Sequence, residues 1–597
     1  MKLPALLLSV TLAVSLGGAA SSLSLKPLQV YSVPGADVER ALALPGGQWL
    51  VSADNAVVVL GADLKVARTM AALQGVVEHL ALSPDGQRVA AMTGSQWAVW
   101  DLASGRVMGR GEGYGGIAFD AQGRVLLLDD GLLVRGDTTG TGAFLPLDVD
   151  GEWYDFRLSP DGTRAVVTDG VVVQLVNLED GKVLSEGELS DDYSDLAVDF
   201  APDGSVVVRT DVETAILRGG EDALFLDEEE ALDPEGTVLF LGEGEFVYGG
   251  WGDAQRYSLK TGEALGRSFD WDAEGRVVSS ADGKASLALG RGVALFDTRR
   301  WKESGRVNLP SANAWLGAFL PDGTAYAGVD GFRNLKTGAA LNVGPVNDLY
   351  DFDAQRGMIW TLNGTTVRVT EGGRVRQIAA LDEDAEYEDL VATPDGSVAV
   401  ASGYYGFAVL NAKTGKVVKR VTEDNLNAMK IEDVHAAAPT PDGKAVLLIP
   451  HEGDLRRYDV ATGKLTVAFK APAGAELQGL QFSPGGTLAV TYLDSRDAAQ
   501  LALVKPGATS AFKTVPLGGR VRSVRFSPDG KLLAVLTSEL KTPLYVLDTA
   551  TGAVLTRTGE FSTTSSLLAW APNGQQLMVG AGTAGQPGSV TVFSVLR

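Results

Sequence analysis

The chain has no cysteine in its 597 residues. Disulfides, thiolate metal sites and cysteine nucleophiles are therefore excluded. Histidine is nearly absent too. His79, His435 and His451 lie far apart, and they form neither an HExxH motif nor a histidine cluster. The sequence contains no G-x-S-x-G nucleophile elbow and no phosphate-binding loop. After residue 20 no stretch is long and apolar enough to span a bilayer. Basic residues are in deficit: 51 Lys and Arg stand against 75 Asp and Glu, for a formal net charge of −24. The deficit is sharpest between Asp148 and Glu235, where 25 acidic residues face 5 basic ones. Such a surface repels phosphate backbones, so nucleic acid is not an expected partner. Part of this charge serves plain solubility.

What is present begins with a leader. Lys2 precedes an uncharged, mostly apolar run from Leu3 to Val14, and Gly18-Ala19-Ala20 offers small residues for cleavage. Residues 1–20 read as a signal peptide, so the protein is expected to be exported, periplasmic or at the cell surface, with no membrane span left after cleavage. Without cysteine, the leader cannot carry the lipid of a lipoprotein. A large exported chain without disulfides points to a bacterial envelope.

Glycine is plentiful, at 73 residues, and sits in regularly spaced turns. Ser-Pro-Asp-Gly occurs at Ser83–Gly86, Ser159–Gly162 and Ser527–Gly530. Close variants end at Gly204, Gly323, Gly396, Gly443, Gly486 and Gly574, and weaker ones at Gly47, Gly123, Gly236, Gly283 and Gly357. The fourteen copies recur about every 40 residues, the length of a four-stranded propeller blade. Proline presets the first corner of the turn, aspartate bonds back to the following amides, and glycine takes the positive-φ position. A second turn follows in seven repeats: a polar residue, two spacers, a small polar residue, then glycine. Examples are Asp101–Gly105, Asn411–Gly415 and Asp548–Gly552. The two turns predict an a–b hairpin and a c–d hairpin in each repeat.

A unit such as Val521–Ala534, continued by Leu544–Asp548 and Thr551-Gly552, resembles a WD40-like or YVTN-type bacterial β-propeller repeat. The resemblance covers nearly the whole chain after the leader. There are departures: Trp-Asp closes a strand only at Trp100-Asp101, where other repeats have Phe296-Asp297, Tyr458-Asp459 or Leu547-Asp548. The Gly-His pair of eukaryotic repeats is missing. The expected fold is all-β: tandem propellers of four-stranded antiparallel blades, arranged as two seven-bladed rings. The expected division is residues 21–305 and 306–597. The last repeat ends after three strands, at Ser589–Leu596, while Leu25–Val33 is a spare strand at the other end. Pairing the two would complete a blade and remove an exposed edge. Which ring this closes is open at this point.

In the resembling family both glycine turns lie on one face of the ring, and function sits on the opposite face, made by the d–a and b–c connections. Here those connections carry aromatics beside carboxylates: Glu152-Trp153-Tyr154-Asp155, Asp192-Tyr193, Trp271-Asp272, Tyr350-Asp351, and Tyr387 with Asp389, with Trp315 nearby. As exposed groups they would form a binding surface for a basic protein or a glycan of the cell envelope. As gap-fillers between blades they would be structural. The acidic runs Asp227–Glu230 and Leu381–Asp384 lack the alternating ligands of a calcium loop and read as solvated. Residues 505–541 are locally basic, with Arg522 and Arg525 among seven cations. The expected function is a non-catalytic interaction scaffold with no cofactor. The alternative is an extracytoplasmic propeller enzyme, similar to lactonases or quinoprotein dehydrogenases, with carboxylates converging on a central channel.

Overall fold

The computed structural model describes residues 23–596 except 71–72, 130, 148, 150–152, 160, 190–195, 202, 211–212, 227–231, 233–235, 243, 250–251, 272–276, 280–284, 298–301, 346–348, 356–357, 372–373, 382–386, 432, 452, 540, 542, 562–564 and 583–587. The leader and the two acidic runs fall mostly or wholly outside these residues. The described chain is almost entirely β-structure, folded as fourteen separate antiparallel sheets, numbered here as blades in chain order. Thirteen sheets have four strands. Blade 8 has three, Leu316–Phe319, Ala325–Gly328 and Arg333–Asn334, with only an isolated bridge, Arg333 to Ala340, where a fourth strand would lie. One short helix, Glu423–Ala428, interrupts the connection after blade 10 and buries Leu426.

The turns explain the repetition. In blade 2 the Ser83 hydroxyl is buried and accepts a hydrogen bond from the Arg88 amide at 2.9 Å while donating to Asp85. Gly86, at φ +66°, donates its amide to the Ser83 carbonyl. The hydroxyl bond holds the Asp85 carboxyl below its ordinary range. The same clasp recurs at Ser159, Thr393, Thr440 and Ser527. In the c–d turn, the Asp548 carboxylate accepts the Thr551 amide at 2.8 Å and the strand register shifts by one residue beside it.

The first strands of the blades are innermost. Those of blades 8 to 14 form a closed succession, each packed on the next and Leu568–Trp570 of blade 14 packed on Leu316–Phe319 of blade 8. In the first set, Ala41–Leu44 of blade 1 packs against His79–Leu82 of blade 2 and Val277–Ser279 of blade 7. The core is correspondingly divided into apolar layers between neighbouring blades. One such layer joins Trp360, Leu362, Tyr387 and Leu410 across blades 9 and 10.

The spare N-terminal strand does complete the last blade. Ser24–Tyr31 pairs antiparallel with Val590–Leu596, from Ser24 opposite Leu596 to Tyr31 opposite Val590. It therefore closes the second ring. The chain then crosses to blade 1 alongside the segment that leaves blade 7. Gly35 donates to the Leu309 carbonyl at 3.0 Å, and Ser311 donates to the Val33 carbonyl at 2.8 Å. Gly35, at φ +122°, has no room for a side chain, because a Cβ would meet that of Val329 at 2.9 Å. The Asp54 carboxylate, from a turn of blade 1, accepts from the Ser311 hydroxyl at 2.7 Å and the Ala312 amide at 2.6 Å. Both crossings are thus pinned to one another and to both rings.

Candidate functional site in the channel of the second ring

Inner strands of a propeller line a central channel, and in blades 8 to 14 this channel holds a cavity of about 880 Å³. One end is walled by prolines of the Ser-Pro-Asp-Gly turns and their variants, Pro321, Pro394, Pro484, Pro528 and Pro572. The other end is polar, and its geometry comes from a repeated irregularity. In five successive blades the inner strand carries one extra residue near its start: Tyr350, Glu388, His435, Gln478 and Arg522. Such a bulge bends the strand and re-aims side chains. His435, Gln478 and Arg522 line the cavity as a result.

The residues just beyond two of these bulges are Asp351 and Asp389, and both line the cavity. Asp351 Oδ2 accepts the Leu390 amide at 2.8 Å, which ties blade 9 to blade 10. Asp353 does the same one pleat deeper, accepting the Ala392 amide at 2.8 Å. Gln481 repeats the device between blades 12 and 13, accepting the Phe526 amide at 3.2 Å. Burial raises the Asp351 carboxyl to about 7, against the pull of the Leu390 amide and with further repulsion from Asp389 and Asp353. Burial also raises Asp389 to about 6, with a contribution from Glu388. Unlike Asp351 and Asp353, Asp389 has no hydrogen-bond donor among the described residues. Across the ring, blade 13 contributes Arg522, exposed at the mouth, and Arg525, whose carbonyl accepts the Trp570 indole at 2.9 Å. The channel therefore has an acidic wall facing a basic one.

Of the aromatic–acidic candidates, the structure brings Trp315, Asp351 and Asp389 into this cavity. Trp315 packs edge-on against Phe352, with ring centroids 6.1 Å apart. The expectation of exposed aromatics fails at Trp153 and Tyr387, which are 3% and 4% exposed. Trp153 fills the layer between blades 3 and 4 with Leu126, Leu128, Phe156 and Leu178, because the strand start at Asp155 turns it inward. Tyr154, next in sequence, points out and is 70% exposed. Asp155 pairs with Arg157 in the first ring, where burial still raises its carboxyl. Glu152, Asp192, Tyr193 and Asp272 lie outside the described residues. Trp271 and Tyr350 are described only as strand backbone.

The histidines also require a correction. His79 stands apart in the first ring, where burial, then Arg157 and Arg40, push its pKa down to about 2. His435 and His451 are not apart: Nε2 of His435 and Nδ1 of His451 are 2.8 Å apart at the exposed lip of the channel. Their separation of sixteen residues brackets the Thr440–Gly443 hairpin turn. Counting outward from that turn was the signal that could have joined them. Among the described residues no group of three or more histidines and carboxylates is placed to hold a metal ion, and no helix is long and apolar enough to cross a membrane. Comparison with models of known protein families finds no match, and comparison with curated proteins finds none either.

Proposed function

We propose that the chain is an exported, WD40-like binding propeller that receives a small polar ligand, or the end of an envelope partner, in the channel of its second ring. The observation that carries this reading is Asp389: a carboxylate without a donor, beside Asp351, facing a cavity whose far wall carries Arg522 and Arg525. A half-buried acid without a donor from the protein is incompletely solvated, and a cationic ligand group would supply the missing partner. The cavity volume is in the range of small-molecule sites. A ligand with an ammonium or guanidinium group at one end and an anion at the other satisfies both walls. Calorimetric titration with lysine- and arginine-containing dipeptides, free and with their charges blocked, tests this. The unblocked peptides are expected to bind, and Asp389→Asn and Arg522→Ala are each expected to weaken binding by about tenfold or more. Equal binding of blocked peptides, or affinity unchanged in both variants, would overturn it.

A carboxylate-only reaction in the same channel is the second reading. It is favoured by two adjacent acids held near 6 and 7, the range suited to general acid–base work at neutral pH. Turnover of a lactone panel that disappears in Asp389→Asn would select it over simple binding.

A further inference from the structure

The first ring exposes a cluster of apolar side chains on the face made by its d–a and b–c connections, with Tyr154 at the centre. The Tyr154 ring lies against Gly170, where a Cβ would stand 3.4 Å from it, and the Tyr154 carbonyl faces Gly115, where a Cβ would meet it at 2.8 Å. The amide of the preceding residue, Trp153, donates to the Gly131 carbonyl at 2.7 Å. Each of these three glycines adjoins an exposed apolar residue in sequence: Tyr114, Leu132 and Val171, which are 49%, 42% and 39% exposed. Tyr114 stands where Gly115 and Gly116 add two unpaired residues to the inner strand of blade 3, an irregularity that re-aims the strand. The four side chains therefore form one patch across blades 3 and 4. Other exposed apolar residues, such as Val66, Val107, Val183 and Val554, stand singly on outermost strands, where they need no explanation. A grouped patch with two tyrosines has the composition of a docking surface. Its rim is acidic. Glu112 is exposed two residues before Tyr114, Asp169 adjoins Gly170, and Glu188 is exposed opposite Val172 on the ladder. Arg157, beside the patch, is already paired with Asp155. Tyr154 and Val171 also lie within the most acidic stretch of the sequence. We propose that Tyr114, Leu132, Tyr154 and Val171 form a docking surface for a polypeptide partner that presents apolar side chains flanked by lysine or arginine. Charge complementarity selects that partner, since an acidic one meets like charge at the rim. The surface lies on the first ring, does not use Asp389, and goes beyond the ligand reading above.

Three labelled peptides of equal length, alternating Lys-Leu, Lys-Ser and Glu-Leu, would be titrated against residues 21–597 by fluorescence anisotropy at low and high salt. The Lys-Leu peptide is expected to bind best, and more weakly at high salt. Tyr114→Ala and Tyr154→Ala should each weaken it by about tenfold or more, with melting temperatures unchanged because both side chains are exposed. Val171→Asn, a second exposed position, should weaken it in the same direction. Asp389→Asn should leave the affinity unchanged, which separates this surface from the channel of the second ring. Failure of the Lys-Leu peptide to bind, equal binding of the Lys-Ser peptide, or binding that persists in the double tyrosine variant would overturn the proposal. So would a dimer, seen by light scattering, that Tyr154→Ala converts to monomer, because the occupant would then be a second copy of this chain.

Discussion

Removing the N-terminal strand should open the second ring. In the structure Ser24–Tyr31 is the outermost strand of blade 14, and its partner, Val590–Leu596, has no other neighbour on that side. The ladder runs over seven paired positions. Leu23 and Val33, at its ends, are buried; Leu25 packs against the layer containing Phe561, Phe593 and Val595. Leu28, which alternation along the strand would turn inward, is 53% exposed, because the register slips between Pro27 and Gln29. The anchoring therefore comes from the flanks. Ladder bonds contribute about 1 kcal/mol each, and a buried Leu or Val contributes about 1.5–3 kcal/mol. After the cost of ordering the segment, the loss on deletion is on the order of 5 kcal/mol, comparable with a domain's whole margin of roughly 5–15 kcal/mol. For a ring of this size that is a fall of about 10–20 °C in melting temperature. Residues 21–597 and 35–597 would be compared by differential scanning calorimetry and by light scattering after size exclusion. The truncated chain should melt lower and self-associate through the edge of Val590–Leu596, and a peptide of residues 21–34 should reverse both effects. A truncated chain that stays monomeric and melts with the full one would refute strand closure as a source of stability.

Two further outcomes follow from buried groups. Asp389 has its carboxyl raised from 3.8 to about 6, so the folded state prefers it protonated, and stability from this residue is lost as pH rises from about 4 through 6. Asp389→Asn should melt like the parent below pH about 4 and be more stable by on the order of 3 kcal/mol above pH about 7, as read from denaturant titrations at each pH; equal stability at both ends would show that the carboxyl is solvated. Trp153→Ala should cost about 3–5 kcal/mol by emptying the layer between blades 3 and 4, whereas Tyr154→Ala should stay within about 0.5 kcal/mol. Chemical denaturation distinguishes the two, and a neutral Trp153→Ala would mean the layer reseals.

The fold was legible because its instructions are local. Ser527, Pro528, Asp529 and Gly530 carry within four residues the hydroxyl clasp, the fixed corner and the positive-φ closure, so the sequence that specifies the turn can be recognised without knowing what surrounds it. Repetition then supplies the blade count, and the surplus strand supplies its own partner by elimination. The candidate site has no such locality. Asp351, Asp389 and Arg522 are brought together by ring closure, and their aim is set by single-residue bulges that leave no mark in composition. Trp153 and Tyr154 show the same limit within two residues, since adjacent aromatics take opposite faces of one chain. The channel also departs from what stability alone would select. Asp351 and Asp353 each hold a neighbouring blade through an amide, so their burial is offset by a bond. Asp389 sits one blade on at the equivalent position after its bulge, is half-buried like Asp351, and holds nothing among the described residues. An amide or an apolar residue there would be more stable at neutral pH. A carboxylate placed at a net cost, in a cavity, opposite two arginines, is what a site for a charged ligand requires before the ligand arrives.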